Sequence, residues 1–590
     1  MSSSLSSVIV VGIDFGTTYS GVSWAVNEGR KNVKLITDWS NPSASIANAD
    51  KVPSIISYKN GSAENWGYEV GLKEEAFRWF KILLEPESKY AQTTKEVRHS
   101  NELLKKVNKS AQDIVCDYLR RIWQYTKEDI RKRIEDNDWE RNYTIHVVLT
   151  VPAMWSHMAK DKTLKAAMSA GLPKNIQLVT EPEAAALATL HDKAEDNTLR
   201  VGDAFVVCDA GGGTVGLISY KVNGLKPLKV EECAIGDGGL CGSVFLDIAF
   251  EKYIKTLVGE EQYRDLREID KKKMMRIFEN GVKRSFTVDS TKDYSVDLRG
   301  VKDNEEEGIV DETITLKQSM LRTIFDHVCG QIDNLVDNQI REVSSKGLHV
   351  KAILLVGGFG SSKFLHHRLE QSFSSANIAV VQVDGAWSAI CRGACLWGLE
   401  HANELPRGTG GPPKNLSNLA STFIRRASRY SYGVSVAVPF DGSKHLWADR
   451  FFDHSNNMYM ADNQMMWLLR RGEMVTEGRE LSIKVITSVH GVGFTSTGSR
   501  EFRKSLHYCQ ENDPPSRLDD TVKELCDVRF SVQEATIWLE KSFRSASMPG
   551  KFRNMTFELL VRLGNATLEY VVTYKDKPLG HVEAEYMQTF

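Results

Sequence analysis

Two turns of one design, around Asp14 and around Asp209, constrain this chain of 590 residues more than any other feature. The first reads Val11-Gly-Ile-Asp14-Phe-Gly16-Thr17-Thr18-Tyr19-Ser20 and runs on into Gly21–Val26. The second reads Phe205-Val-Val-Cys-Asp209-Ala-Gly211-Gly212-Gly213-Thr214 and runs on into Val215–Tyr220. Each is a buried strand, an aspartate, a tight Gly/Thr turn and a second strand. One such cluster is what an ordinary hairpin looks like, because turns favour these residues anyway. Two in matching order imply a duplication at domain scale, with like halves facing each other across a cleft. The chemistry that suits such turns is phosphate binding. Glycines let the backbone come close and aim several N–H groups at one anion, and threonine hydroxyls add donors. A carboxylate beside a polyphosphate is repelled unless a cation lies between, so Asp14 and Asp209 imply Mg2+ held partly through water.

Other nucleotide motifs are weaker or absent. Residues 211–216 match GxGxxG, but that fingerprint needs a helix next. Here Val215–Val222 is β-rich and meets a hairpin signal at Asn223-Gly224, so a dinucleotide fold is rejected. No GxxxxGK[ST] occurs. A third turn, Val356-Gly357-Gly358-Phe-Gly360-Ser361-Ser362, follows an apolar strand and opens an amphipathic helix from Lys363, a natural place for the sugar and phosphate end of a nucleotide.

The length exceeds what one hydrophobic core fills, so several domains are expected. The 75 basic and 77 acidic side chains leave a net charge of −2, which argues against nucleic acid or an anionic membrane surface as partner. No apolar run approaches a membrane span, and the Ser-rich residues 1–7 lack a basic leader, so they read as a flexible N-terminus. Nine scattered cysteines without a CxxC pair suit reduced thiols in the cytoplasm, or in the nucleus, rather than disulfides or zinc.

Residues 403–418, rich in Gly, Pro and Asn, read as a linker. Before it, strands at Val8–Ile13, Tyr143–Val151, Ala204–Asp209 and Ala352–Val356 alternate with helices at Ala111–Glu135, Met158–Ala170, Lys272–Phe286 and Ser319–Val343, an α/β pattern. After it, Ser431–Val438, Met465–Leu469, Leu481–Ser488, Thr556–Leu563 and Ala566–Tyr574 read as strands, with a hairpin point at Gly564-Asn565 and a strand-like tail at His581–Phe590. The charged stretch 503–528 reads as a long surface loop. His366-His367 reads as a solvated face, the acidic run Asp303–Glu307 as an exposed loop, and Trp39, Trp66, Trp79, Trp123 and Trp155 as core and inter-lobe packing.

In order and spacing, the three turns resemble the actin-like ATPase superfamily and, within it, the seventy-kilodalton heat-shock chaperones. Thr150-Val-Pro-Ala153, Val179-Thr-Glu181-Pro182-Glu-Ala184-Ala185-Ala186 and the helix carrying Glu279, Lys283 and Arg284 strengthen the likeness, which covers residues 8–402. The resemblance implies a two-lobed actin-like (ribonuclease H-like) ATPase domain over 8–402, with lobe I about 8–200 and lobe II about 201–402. A mainly β, substrate-binding-like domain without a helical lid would follow over 419–590. It also implies ATP or ADP with Mg2+ in the cleft. Gly16, Thr17, Thr18 and Tyr19 would hold the β- and γ-phosphates, and Gly211, Gly212, Gly213 and Thr214 would close from the other side. Asp14 and Asp209 would hold the magnesium waters, Glu181 would place the attacking water, and Lys81 would be the catalytic lysine. Lys283 and Arg284 would flank the adenosine opposite Gly357, Gly358 and Ser361. Client polypeptides on the β domain, and co-chaperones, are the partners so implied.

Three departures stand out. Gly216 replaces the aspartate of the family's Gly-Gly-Gly-Thr-x-Asp, which should weaken catalysis more than nucleotide binding, by about 10–1,000-fold. Ser361 stands where the family stacks an arginine on adenine. The linker lacks the acidic, leucine-rich run that couples domains. With Ser431-Tyr432-Gly433 and no lid after Leu468–Glu473, the chain resembles the divergent, lidless "member twelve" branch. Three readings follow: a slowly hydrolysing ATP-dependent chaperone, a nucleotide-gated adaptor with little or no turnover, and, third, a small-molecule kinase on the same fold.

Overall fold

The run Val8–Asp14 is buried at every position, so it forms a central strand with neighbours on both edges and both faces. In the computed structural model it pairs antiparallel with Tyr19–Val26 and parallel with Thr144–Val151, which pairs in turn with Gln177–Thr180. Lys34–Leu35 completes the sheet on the far side of Tyr19–Val26. The described residues are 7–28, 32–41, 48–85, 95–192, 199–225, 228–291, 293–382, 385–402, 422–476, 479–490, 498–545, 549–563, 568–579 and 583–586.

The second half repeats this plan. Ala204–Ala210 is again buried throughout, pairs antiparallel with Val215–Leu225 and parallel with Val350–Val356, and the latter pairs with Ala379–Gln382. Leu228–Gly239 takes the place that Lys34–Leu35 holds in the first half. The register repeats too: Asp14 lies opposite Gly21, and Asp209 opposite Gly216. The expected duplication is therefore visible strand by strand.

Two helices close the halves. Glu181–Asp192 is buried from Glu181 to Leu190, and Ala389–His401 is buried at nearly every position. A helix can be buried all round only if its side chains are small where another backbone approaches. Here a Cβ on Gly393 would run into the carbonyl of Ala184, and one on Gly398 would meet Val10 and Val148. The alanine run after Glu181 is thus a packing requirement. Ala389–His401 comes late in the chain yet lies on its first strand, with Gly12 against the backbone of Cys391 and Cys395.

By its contacts the chain falls into two compact units, Met1–Lys414 with Leu419–Phe423, and Asn415–Asn418 with Ile424–Phe590. The second unit is mainly β. One sheet has the order Arg450–Asp453, Met458–Leu469, Ser431–Pro439, Ser499–Cys509, Val522–Gln533, Glu583–Tyr586. The other has the order Glu480–His490, Phe552–Leu563, Leu568–Tyr574, Lys577–Pro578. Residues of both, such as Val434, Leu506, Val528, Met555 and Leu559, form one apolar core. Among the described residues of this unit the α-helix is the short Glu534–Trp538.

Three expectations need correction. The stretch 503–528 is not a loop: Ser499–Cys509 and Val522–Gln533 pair over their length, leaving residues 510–521 as the connection. Its charges belong to strands because they are satisfied there, with Arg503 on Asp527 at 2.5 Å and Lys504 donating to the Ser435 carbonyl at 2.6 Å. Asn223-Gly224 does not turn the chain; the strand continues to Leu225 with a register shift between Val222 and Gly224, the kind of irregularity a glycine tolerates. The helix expected at Lys272–Phe286 begins earlier, at Glu268, and its Phe278–Val282 section is a π turn. The linker 403–418, residues 1–6 of the N-terminus, the Gly564-Asn565 hairpin point and the last residues, 587–590, lie outside the described residues. All nine cysteines are buried thiols. Among the described residues no helix is long and apolar enough to cross a membrane.

Candidate functional site

The ends of the two duplicated hairpins, with the third turn, surround one cavity of about 310 Å³ in the first unit, within the range of small-molecule sites. Its lining includes every residue expected to bind nucleotide, hold metal or act in catalysis: Asp14, Gly16, Thr17, Thr18, Tyr19, Lys81, Glu181, Asp209, Gly211 to Thr214, Lys283, Arg284, Gly357, Gly358 and Ser361.

The turns are braced from below. Ser54 donates its N–H to the Thr18 carbonyl and its hydroxyl to the Gly16 carbonyl, fixing the first turn. The second is held by the N–H groups of Ser243 and Val244 on the carbonyls of Gly211 and Gly212. Phe359 and Gly360 donate to the Ala210 carbonyl, which seats the third turn directly over the second hairpin. This seating is why Gly357 must be glycine: its φ is 86°, and a Cβ would lie 2.6 Å from Asp209 Oδ1. The first two turns also meet each other, since a Cβ on Gly212 would collide with the Thr18 hydroxyl.

Charge concentrates at the floor. Lys81, expected only by its place in the chain order, sits in the short 3-10 turn Phe80–Leu84 with its ammonium 2.6 Å from Glu181 Oε1. Its side chain is 2 % exposed, so it is no solvated lysine. Glu181 opens its helix; burial raises its carboxyl pKa, against the pull of Lys81. Asp209 Oδ1 is buried without a hydrogen-bond partner. Burial, then the charges of Glu181 and Asp14, push the Asp209 carboxyl up to about 8. An excess of buried carboxylate with an orphaned oxygen is a donor set that suits a cation.

Lys51, Asp247 and Trp387 also line the cavity, and none of them gave a sequence signal. Lys51 reaches Asp14 Oδ2 at 2.5 Å. Burial works against its charge, Asp14 works for it, and the balance holds its pKa above the ordinary lysine range. Asp247, on the helix Val244–Val258, accepts from Lys283 at 2.9 Å and 2.7 Å, so Lys283 is fixed rather than free. Burial, opposed by Lys283, pushes Asp247 up to about 6. Trp387 forms an aromatic wall: the Arg284 guanidinium lies 5.5 Å over its ring, and Tyr19 meets it edge-on at 5.5 Å. Tyr19 also donates to Glu279 at 3.3 Å, and burial with that carboxylate keeps its phenol protonated. Ser361, without a long side chain, folds back on the Gly358 carbonyl at 2.7 Å. Gly216 faces open space, with no atom within 4 Å of where its Cβ would stand.

Comparison with known proteins matches two parts of the chain to different families. The family described as "Hsp70 protein" matches residues 10–399, and a "Domain of unknown function (DUF8568)" matches 426–587. The chain is 26 % identical over 483 residues to heat shock 70 kDa protein 12A of Mus musculus, covering 67 % of this chain and 70 % of that protein. It is 22 % identical over 476 residues to heat shock 70 kDa protein 12B of Homo sapiens, covering 66 % and 68 %. It is 24 % identical over 357 residues to chaperone protein DnaK of Mycoplasmopsis pulmonis, covering 59 % and 52 %.

Proposed function

Because the chain belongs to the Hsp70 protein family, we propose that it binds ATP or ADP in this cavity, hydrolyses ATP slowly and uses the nucleotide state to control its C-terminal β unit. The observation that carries the reading is the convergence of two symmetry-related Gly/Thr turns on one cavity floored by Lys81 and Glu181. The first turn, Gly16 to Tyr19, and the second, Gly211 to Thr214, both line the cavity and would cradle the phosphates from opposite lobes. Asp14 and Asp209 would hold a magnesium ion through water, and the unpartnered Asp209 oxygen supports that assignment. Such an ion supplies charge neutralisation at the phosphates. Glu181, paired with Lys81, would orient a water at the phosphate end, and the lysine charge opposes the burial that raises its carboxyl pKa. At the other end, Arg284 and Trp387 offer a flat cationic and aromatic wall to a base, with Lys283 held in place by Asp247.

A second reading has its own observation. Gly216, opposite Asp209, leaves room where the family carries a carboxylate, and this favours a nucleotide-gated adaptor with little turnover. Clients and co-chaperones are proposed as partners by family likeness, with the β unit as the client-binding element. Residues 8–402 and 419–590 are proposed as the functional division, joined by 403–418.

Calorimetry with ADP and ATP in magnesium tests the nucleotide site; absence of binding ends both readings. Single-turnover hydrolysis separates them. In the adaptor reading Gly216→Asp accelerates the wild type by about 10–1,000-fold. A rate equal to or above that of the variant retains the hydrolase.

A further inference from the structure

The duplicated halves differ beside the glycine that faces each aspartate. In both, the residue opposite the aspartate is glycine, so each half has a gap where a side chain would stand. Beside Gly216 the gap is empty. Beside Gly21 it is filled: a Cβ there would meet Lys51 Cγ at 3.0 Å and Cys391 Sγ at 3.3 Å. The missing Cβ thus makes the channel through which the Lys51 stem reaches Asp14. The lysine is built in from both ends. Its neighbour Val52 pairs with Ser20, its own carbonyl accepts from the Tyr68 hydroxyl at 3.0 Å, and its ammonium ends 2.5 Å from Asp14 Oδ2. Its side chain is 6 % exposed, and it lines the same cavity as both phosphate turns.

A buried lysine on this carboxylate places a fixed positive charge where a polyphosphate would otherwise face Asp14. Taking the cavity to be a nucleotide site, we propose that Lys51 is a resident cation of its phosphate end, offsetting Asp14 and the bound phosphates so that nucleotide binds without a divalent ion. Asp209 retains the oxygen to which a metal ion would add, so magnesium strengthens binding without being required for it.

Calorimetry with ADP, in magnesium and in EDTA, on wild type, Lys51→Met and Lys51→Arg gives the test. Methionine keeps the apolar stem and removes the charge; arginine keeps the charge. Wild type should bind ADP in EDTA within about tenfold of its affinity in magnesium. Lys51→Met should lose about 10–100-fold in EDTA, the worth of a charge-assisted contact, and less in magnesium. Lys51→Arg should retain at least part of the metal-free binding. Wild-type binding that vanishes in EDTA but persists in magnesium overturns the role of Lys51 and leaves the nucleotide site intact. So does a Lys51→Met variant with unchanged affinity in EDTA. No binding in either buffer removes the nucleotide reading and this inference with it. Should Lys51→Met fail to fold, as read by its melting curve, the wild-type and arginine measurements still decide.

Discussion

The Lys81–Glu181 pair shows what a buried charge does at the scale of one residue. Both groups sit at the cavity floor, and each is the other's compensation. Lys81→Met should reduce single-turnover hydrolysis by about 100–10,000-fold if Glu181 orients the water. It should also lower stability by about 3–5 kcal/mol, read from denaturant midpoints, because Glu181 is left buried and unpaired. Asp247 gives a pH signature. Its folded-state pKa, about 6, lies above the ordinary aspartate value. The folded state therefore binds the extra proton, and the associated stability is complete below pH about 4 and lost as pH rises through about 6. Against wild type, Asp247→Asn should gain by up to about 3 kcal/mol between those limits, measured as the difference in melting behaviour at the two pH values. A flat difference would show that Asp247 titrates normally. Lys51, Asp247 and Trp387 were not legible in the sequence. Each is a lone residue in a segment with no motif, brought to the cavity by a two-residue strand pairing, a helix face and a loop.

Among elements, legibility followed pattern strength. The buried strands and the Gly/Thr turns were read closely because apolar runs ending in glycine have few alternatives. The strands Ser499–Cys509 and Val522–Gln533 were missed because their charges mimic a loop until the cross-strand partners are known. The π turn at Phe278–Val282 was also hidden, since one extra residue in a helix leaves no compositional trace. The packing of Glu181–Asp192 on Ala389–His401 yields a test at this scale. Gly393→Ala adds a single methyl against the Ala184 carbonyl and should cost about 1–3 kcal/mol, seen as a lower denaturant midpoint. The same substitution at Gly216, where nothing stands within 4 Å, is the matched control and should be close to neutral.

Over the whole molecule, the proposal that nucleotide controls the β unit demands energetic coupling. Such couplings are typically about 1–3 kcal/mol. Hydrogen exchange of amides in Ser431–Pro439 and Ser499–Cys509 should then differ between ATP-bound and ADP-bound protein by about 5–150-fold. Identical exchange in the two states would leave the cavity a nucleotide site without command over the β unit. The sequence likeness to the Hsp70 family ends near residue 399, and the β unit matches a family of its own. The C-terminal half of the mechanism was accordingly the least legible part, resting on alternation alone.

The seating of Ala389–His401 on Val8–Asp14 also sets a schedule for synthesis. The strand that opens the chain leaves the ribosome long before the helix that covers it. At about 5–20 residues per second, the interval is roughly 20–80 s. Until then the face of Val8–Asp14 that this helix covers lacks its cover. A nascent chain of this kind carries exposed apolar surface until the covering helix has been made.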